Sequence, residues 1–190
     1  MDEIAVLAGV SKVTVYNHFA DKERLFSEIV IATVDEISDP HYTDVLNLAD
    51  SGDLETDLTN LACRQLARVM QPHLLQLRRL VIGEAARFPH LSQIFYDRGP
   101  ARTINALSSA FERLANENKL HLPDPHLAAA HFNWLVMSIP LNDAMLLGHD
   151  TPPPSNELNR YADAGVQTFL AAYSPPRPNA ARSGSEGRTR

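Results

Sequence analysis

Cysteine is nearly absent from the chain. Cys63 is the only one, so no internal disulfide can close and no cysteine zinc cage can form. Long apolar runs are missing too: nothing approaches the ~18–20 residues that a membrane span requires. The opening MDEIAVLAGV is acidic, whereas a secretory signal begins with basic residues. These absences predict a cytoplasmic chain without a membrane partner. There is no basic excess, since 17 Lys and Arg stand against 23 Asp and Glu for a net charge of −6, which excludes a protein that coats nucleic acid nonspecifically. No Gly-rich phosphate loop, nucleophile elbow or Cys/His frame occurs, so no enzyme class is indicated and no cofactor is expected. No segment alternates apolar and polar residues with period two, and strands are not expected.

What the chain does have is 190 residues, 44% of them hydrophobic, enough for a real core. The apolar positions recur at helical spacing nearly throughout, so the predicted fold class is all-α. A short helix over 2–8 stops at Gly9. Ser11 is placed to cap a second helix running to about His18, and a third starts at Asp21 and carries Leu25, Phe26, Ile29, Val30, Thr33 and Ile37 until Pro40. Leu54, Leu58, Leu61, Ala62, Leu66, Val69 and Met70 mark one face of the next helix. Pro72 opens another with Leu74, Leu77, Val81, Ala85 and Phe88, which Pro89 is expected to end. Ile104, Leu107, Phe111 and Leu114 follow Pro100. Asp124-Pro125 reads as an N-cap with proline at the first helical position, opening an apolar segment to Leu147. After the stiff Thr151-Pro-Pro-Pro-Ser155 connector, Leu158 to Tyr173 forms the cleanest apolar stripe. From Ser174 onward the composition is that of a disordered tail.

Two short helices joined by a tight Gly-containing turn form a helix-turn-helix. Gly9 tolerates positive φ at the turn, small Ala5 permits a close crossing, and Val10 and Val15 are expected to fill the angle. In such a unit the second helix, here from Lys12, reads the major groove with its N-terminal end.

The stretch 2–26 closely resembles the tetracycline-repressor (TetR) family of bacterial transcriptional regulators. The resemblance is carried by Ile4-Ala5, Ala8-Gly9-Val10-Ser11, Thr14-Val15-Tyr16, His18-Phe19, Lys22-Glu23 and Leu25-Phe26, without a gap. It implies that Thr14, Tyr16, His18 and Lys22 meet phosphates of a double-stranded operator. Lys12, Val13 and Asn17 match positions that face base edges, where lysine suits guanine and asparagine suits adenine. Residues 1–31 hold three basic and five acidic side chains, so DNA binding would rest on few phosphate contacts and a modest salt slope.

The family carries a further helix ahead of the one that Asp2 opens. The resemblance therefore implies in-frame sequence upstream of Met1 encoding an amphipathic helix that covers Ile4, Val15 and Phe19. Each large side chain left bare would forfeit ~1.5–3 kcal/mol. Without that helix the chain is expected to be an effector-binding dimer with weak DNA binding, the alternative to a functional repressor.

Domains are expected at 1–38 for DNA binding, 39–173 for effector binding and dimerisation, and 174–190 for the tail. The run Glu84-x-x-Arg87-Phe88-Pro89-x-Leu91-x-x-x-Phe95 is similar to a proteobacterial subgroup of the family's second domain. Leu66, Met70, Leu77, Phe95, Phe111, Trp134 and Met137 are the candidates for an effector pocket, which predicts an apolar or aromatic small molecule. Leu158, Tyr161, Ala162, Val166, Phe169 and Leu170 are candidates for a homodimer interface, with packing inside the chain as the competing use of the same stripe. His121, His126 and His131 are spaced by five, which separates them around a helix, so no metal is expected.

Overall fold

The computed structural model describes residues 1–48, 52–148 and 151–176, apart from the side chain of Ile37. The polar tail expected beyond Ser174 lies outside the described residues from position 177 onward. Among the described residues there are helices and no strand: α1 (Asp2–Leu7), α2 (Lys12–Phe19), α3 (Lys22–Leu46), α4 (Leu54–Val69), α5 (Pro72–Gly83), α6 (Pro89–Tyr96), a π-helical turn over Asp97–Ala101, α7 (Arg102–Asn116), α8 (Pro125–Leu147) and α9 (Ser155–Tyr173). None is long and apolar enough to cross a membrane.

The helix starts follow local chemistry. Ser11 Oγ accepts from the Thr14 amide at 3.0 Å, Asp21 from Arg24 at 2.8 Å, and Asp124 from Leu127 at 2.9 Å. Each satisfies an amide that the helix itself leaves unpaired. Gly9 has φ +65 in the turn between α1 and α2. The angle between those helices is filled by Ala5 and Val15, while Val10, expected beside them, is 42% exposed.

Two boundaries differ from the sequence expectation. Helix α3 does not stop at Pro40 but runs through it to Leu46. An interior proline costs ~3 kcal/mol or more, and α3 is held on both sides of it. Arg98 bonds Asp35 at 2.5 Å and Arg102 bonds Asp39 at 2.7 Å. Beyond the proline, His41 and Val45 are buried. Helix α5 ends at Gly83, short of Phe88. Successive turn bonds, Arg87 N–H and Phe88 N–H to Glu84 O, fold the chain back. Pro89 then opens α6 rather than closing α5, because a proline at the first helical position gives up no hydrogen bond.

The main core joins α4, α7, α8 and α9. Phe111, Phe132 and Phe169 meet at its centre with ring centroids 5.0–5.6 Å apart, and Leu58, Leu61, Ala62 and Leu66 of α4 back them without exposure. A second, smaller cluster of Val30, Val34, Leu77 and Val81 fastens α3 to α5. Helices α8 and α9 cross closely at Gly165, where an added Cβ would lie 3.1 Å from the backbone of Leu135 and Val136. Gly165→Ala is therefore expected to lower stability. Overpacking costs ~1–3 kcal/mol, more than the ~1 kcal/mol of helix propensity that alanine gains. A thermal melt checks this, and an unchanged or higher Tm would contradict the close crossing.

Candidate functional site

Two regions bring the candidate residues together. The first is the outer surface of α2. Val15 turns inward, and Phe19, one helical turn further on, is half-buried on the same side. At 100° per residue the opposite face then carries Val13, Tyr16 and Asn17. All seven residues singled out in the sequence, Lys12, Val13, Thr14, Tyr16, Asn17, His18 and Lys22, are exposed. Thr14 Oγ1 lies 2.8 Å from the Ser11 hydroxyl. Lys12 Nζ reaches Asp2 at 2.8 Å and lies 5.9 Å from the Tyr16 ring centroid. The Asp2–Lys12 hydrogen bond lowers the pKa of the carboxyl and raises that of the ammonium. The lysine charge is therefore tethered but accessible.

The second region is a cavity where the two apolar clusters meet, with an empty volume of about 600 Å³ counted out to its open mouth. Helix α3 contributes Val34, Ser38 and His41, α4 contributes Gln65, Arg68 and Val69, and α5 contributes Leu74 and Arg78. Phe95, Gly99, Pro100, Thr103, Asn133 and Met137 complete the wall. Of the residues proposed from sequence, Phe95 and Met137 line this cavity. Leu66, Met70 and Phe111 are buried in the main core and Leu77 in the smaller cluster. Trp134 is 39% exposed and is absent from the cavity wall.

The polar residues of the wall were not anticipated. His41 is only 4% exposed, and neither ring nitrogen has a hydrogen-bond partner. Its burial, reinforced by the Arg68 charge and opposed by Asp44, pushes its pKa down to about 4, so at neutral pH it carries one N–H donor and one free acceptor. Gln65 Nε2 donates to Asn133 Oδ1 at 2.8 Å, which leaves Gln65 Oε1 and Asn133 Nδ2 unpaired and buried. Arg68 and Arg64 share the carboxylate of Asp44, at 2.5 and 3.2 Å. Arg78 sits with its guanidinium carbon 5.0 Å from the Phe95 ring centroid, and burial depresses its pKa. A signal for part of this was present: Gln65 and Asn133 interrupt otherwise apolar helix faces.

The α9 stripe proves to be largely internal. Leu158, Ala162, Val166 and Phe169 are buried against α4 and α8 within one chain, and only Tyr161 and Leu170 remain half-exposed. Solvent instead meets large apolar groups on α8, among them Leu127, Leu135, Ile139 and Leu146. His131 Nδ1 is 2.6 Å from the Tyr173 hydroxyl, and among the described residues no cluster of three or more metal-binding side chains occurs.

Comparison with known proteins gives concordant results. The family profile described as "Bacterial regulatory proteins, tetR family" matches residues 1–29, and that of "AefR-like transcriptional repressor, C-terminal domain" matches 56–175. A TetR-family transcriptional regulator from Mesorhizobium loti is similar at 40% identity with a TM-score of 0.86, over 91% of this chain and 85% of that one. The flavonoid-responsive regulator FrrA is similar at 31% identity and TM-score 0.72, over 94% and 87% of the two chains. A TetR family transcriptional regulator from Pseudomonas syringae matches at 25% identity and TM-score 0.68, over 92% and 85%. No curated protein matches the chain.

The buried histidine generates a pH prediction. Below about pH 6.5 the unfolded chain protonates this ring, but the folded chain resists protonation until about pH 4. Between these values the unfolded state binds more protons, so stability falls as pH falls, by up to ~3 kcal/mol at 1.36 kcal/mol per unit. Urea unfolding from pH 7.5 to 4.5 should give a smaller slope for His41→Leu than for the parent chain. Equal slopes would contradict the burial of a neutral ring.

Proposed function

The chain belongs to the TetR family of bacterial transcriptional regulators, and from that premise we propose that it is a cytoplasmic, ligand-responsive repressor that binds a two-fold symmetric operator as a homodimer. The observation that carries this reading is the continuity of α3. At ~1.5 Å per residue, a single helix runs about 28 Å from Lys22, at the edge of the DNA-reading surface, to His41 in the cavity wall. A ligand that shifts α3 also shifts the recognition helix α2, to which α3 is joined by the two residues Ala20 and Asp21.

The cavity is the proposed effector site. A ligand enters it from the open mouth and parts the helices that wall it. Coupling then follows from differential affinity. The effector binds the spread arrangement better and draws the population toward it, and the spacing of the two recognition helices no longer fits half-sites one or two turns apart. The similarity to FrrA, whose name states a response to flavonoids, supports an aromatic effector. A second polar tie links the regions: His90 of α6 lies 3.3 Å from Glu23 at the start of α3, and α6 also carries Phe95.

For the dimer we propose the outer faces of α8 and α9, with Tyr161 and Leu170 beside the exposed apolar residues of α8. That much apolar surface on adjacent helices calls for cover. The stripe residues Leu158, Ala162, Val166 and Phe169 would support this surface from inside. The alternative, an effector-binding dimer with weak DNA affinity, is favoured by the thin cover over α1, where Val6 is 80% and Leu7 88% exposed.

Mobility shifts and footprinting on DNA flanking the gene test both. Lys12→Ala is expected to cost ~1–3 kcal/mol per half-site and to relax base choice at one position. Lys22→Ala should weaken all sequences alike and reduce the salt slope by about one per subunit. Failure to bind any flanking DNA would favour the alternative reading, and parent-like binding by both variants would refute the assigned roles.

A further inference from the structure

We infer that the cavity takes a hydroxylated aromatic acid, its anionic group on Arg78 and its hydroxyl on the Gln65–Asn133 amide pair; this rests on the reading of the cavity as the effector site. Charge selects the acid. The lining residues include two arginines and no carboxylate. Arg68 is already engaged by Asp44, which it shares with Arg64, but Arg78 has no ion-pair partner among the described residues, and its guanidinium lies over the Phe95 ring. A desolvated cation of this kind favours an anion and repels an amine.

Shape selects the ring. Val34, Leu74, Val69 and Met137 supply apolar wall. The Arg78 guanidinium lies over Phe95, 5.0 Å from its centroid, and a guanidinium fork suits bidentate bonding to a carboxylate. A planar acid whose ring follows the same apolar wall satisfies both.

The remaining polar atoms select the hydroxyl. Gln65 and Asn133 bond each other and leave one acceptor and one donor buried and unpaired. A hydroxyl donates and accepts at once, which answers both. Exchanging oxygen and nitrogen in both amides would still leave one of each. His41, with both nitrogens unpartnered, adds a neutral N–H that can donate to the same ligand.

Calorimetric titration of the full chain without DNA tests the inference, using benzoate, 4-hydroxybenzoate and 4-hydroxycinnamate beside their carboxamides. The hydroxylated acids are expected to bind at least ~10-fold more tightly than their amides, the range of a charge-assisted bond. Arg78→Gln should bring the acid-to-amide ratio close to one. Arg78→Lys should retain part of the preference. Gln65→Leu should erase the advantage of the hydroxylated acids over benzoate. A near-ultraviolet circular dichroism spectrum confirms that each variant is folded, and the parent's acid-to-amide ratio decides the matter if one is not. Equal affinity for acids and amides, a ratio unmoved by Arg78→Gln, or no binding of any acid at millimolar concentration would overturn the inference. Because no DNA is present, such a failure is distinct from a failure to bind an operator.

Discussion

The packing of the main core turns on the contact of three phenylalanines. Phe111, Phe132 and Phe169 come from α7, α8 and α9, and each is without solvent exposure. Each aromatic pair contributes ~0.5–1.5 kcal/mol beyond the area it buries. More important here, the three rings fix the helices that carry them relative to α4. Helices α3 and α5 share a separate small cluster, Val30, Val34, Leu77 and Val81. Packing inside each cluster is continuous, but the seam between them is not. The cavity occupies that seam, so the room for a ligand follows from how the core is divided.

The parts of the fold legible in the sequence were those set by local chemistry. Ser11, Asp21 and Asp124 accept amides three residues on, and Gly9 supplies the positive φ of the turn. The exposed face of α2 was equally plain, because one buried residue, Val15, fixes the orientation of a short helix. Proline was the misleading signal. Its missing amide ends a helix at one position and opens another at the next, and tertiary ion pairs carry α3 through Pro40. The α9 stripe was correctly apolar, yet an apolar face does not say whether its partner is the same chain or a second copy. The cavity was least legible, since its polar groups come from α3, α4, α5 and α8. Large apolar residues such as Leu66 and Phe111 lie instead in the solid core, where close packing leaves no room for a guest.

The arginines divide by occupation. Arg64, Arg68, Arg98 and Arg102 are held by the aspartates of α3. Lys12 is likewise held by Asp2 on the outer surface of α2. A chain with a net charge of −6 thus spends these five cations on shaping itself. Arg78 stands apart from them, over an aromatic ring at the edge of an apolar space.

Pro40 also determines how α3 transmits force. It has no amide to give to the carbonyl of Glu36, so the helix is softest in bending there. The aspartates before it, Asp35 and Asp39, are fastened to the π-helical turn and α7, while Asp44 after it is fastened to α4. Mechanically α3 is two levers joined end to end at a compliant pivot, each bolted to a different wall of the cavity. Widening that cavity pulls the bolts apart and turns a small separation of walls into an angle, which the N-terminal arm of α3 enlarges with distance.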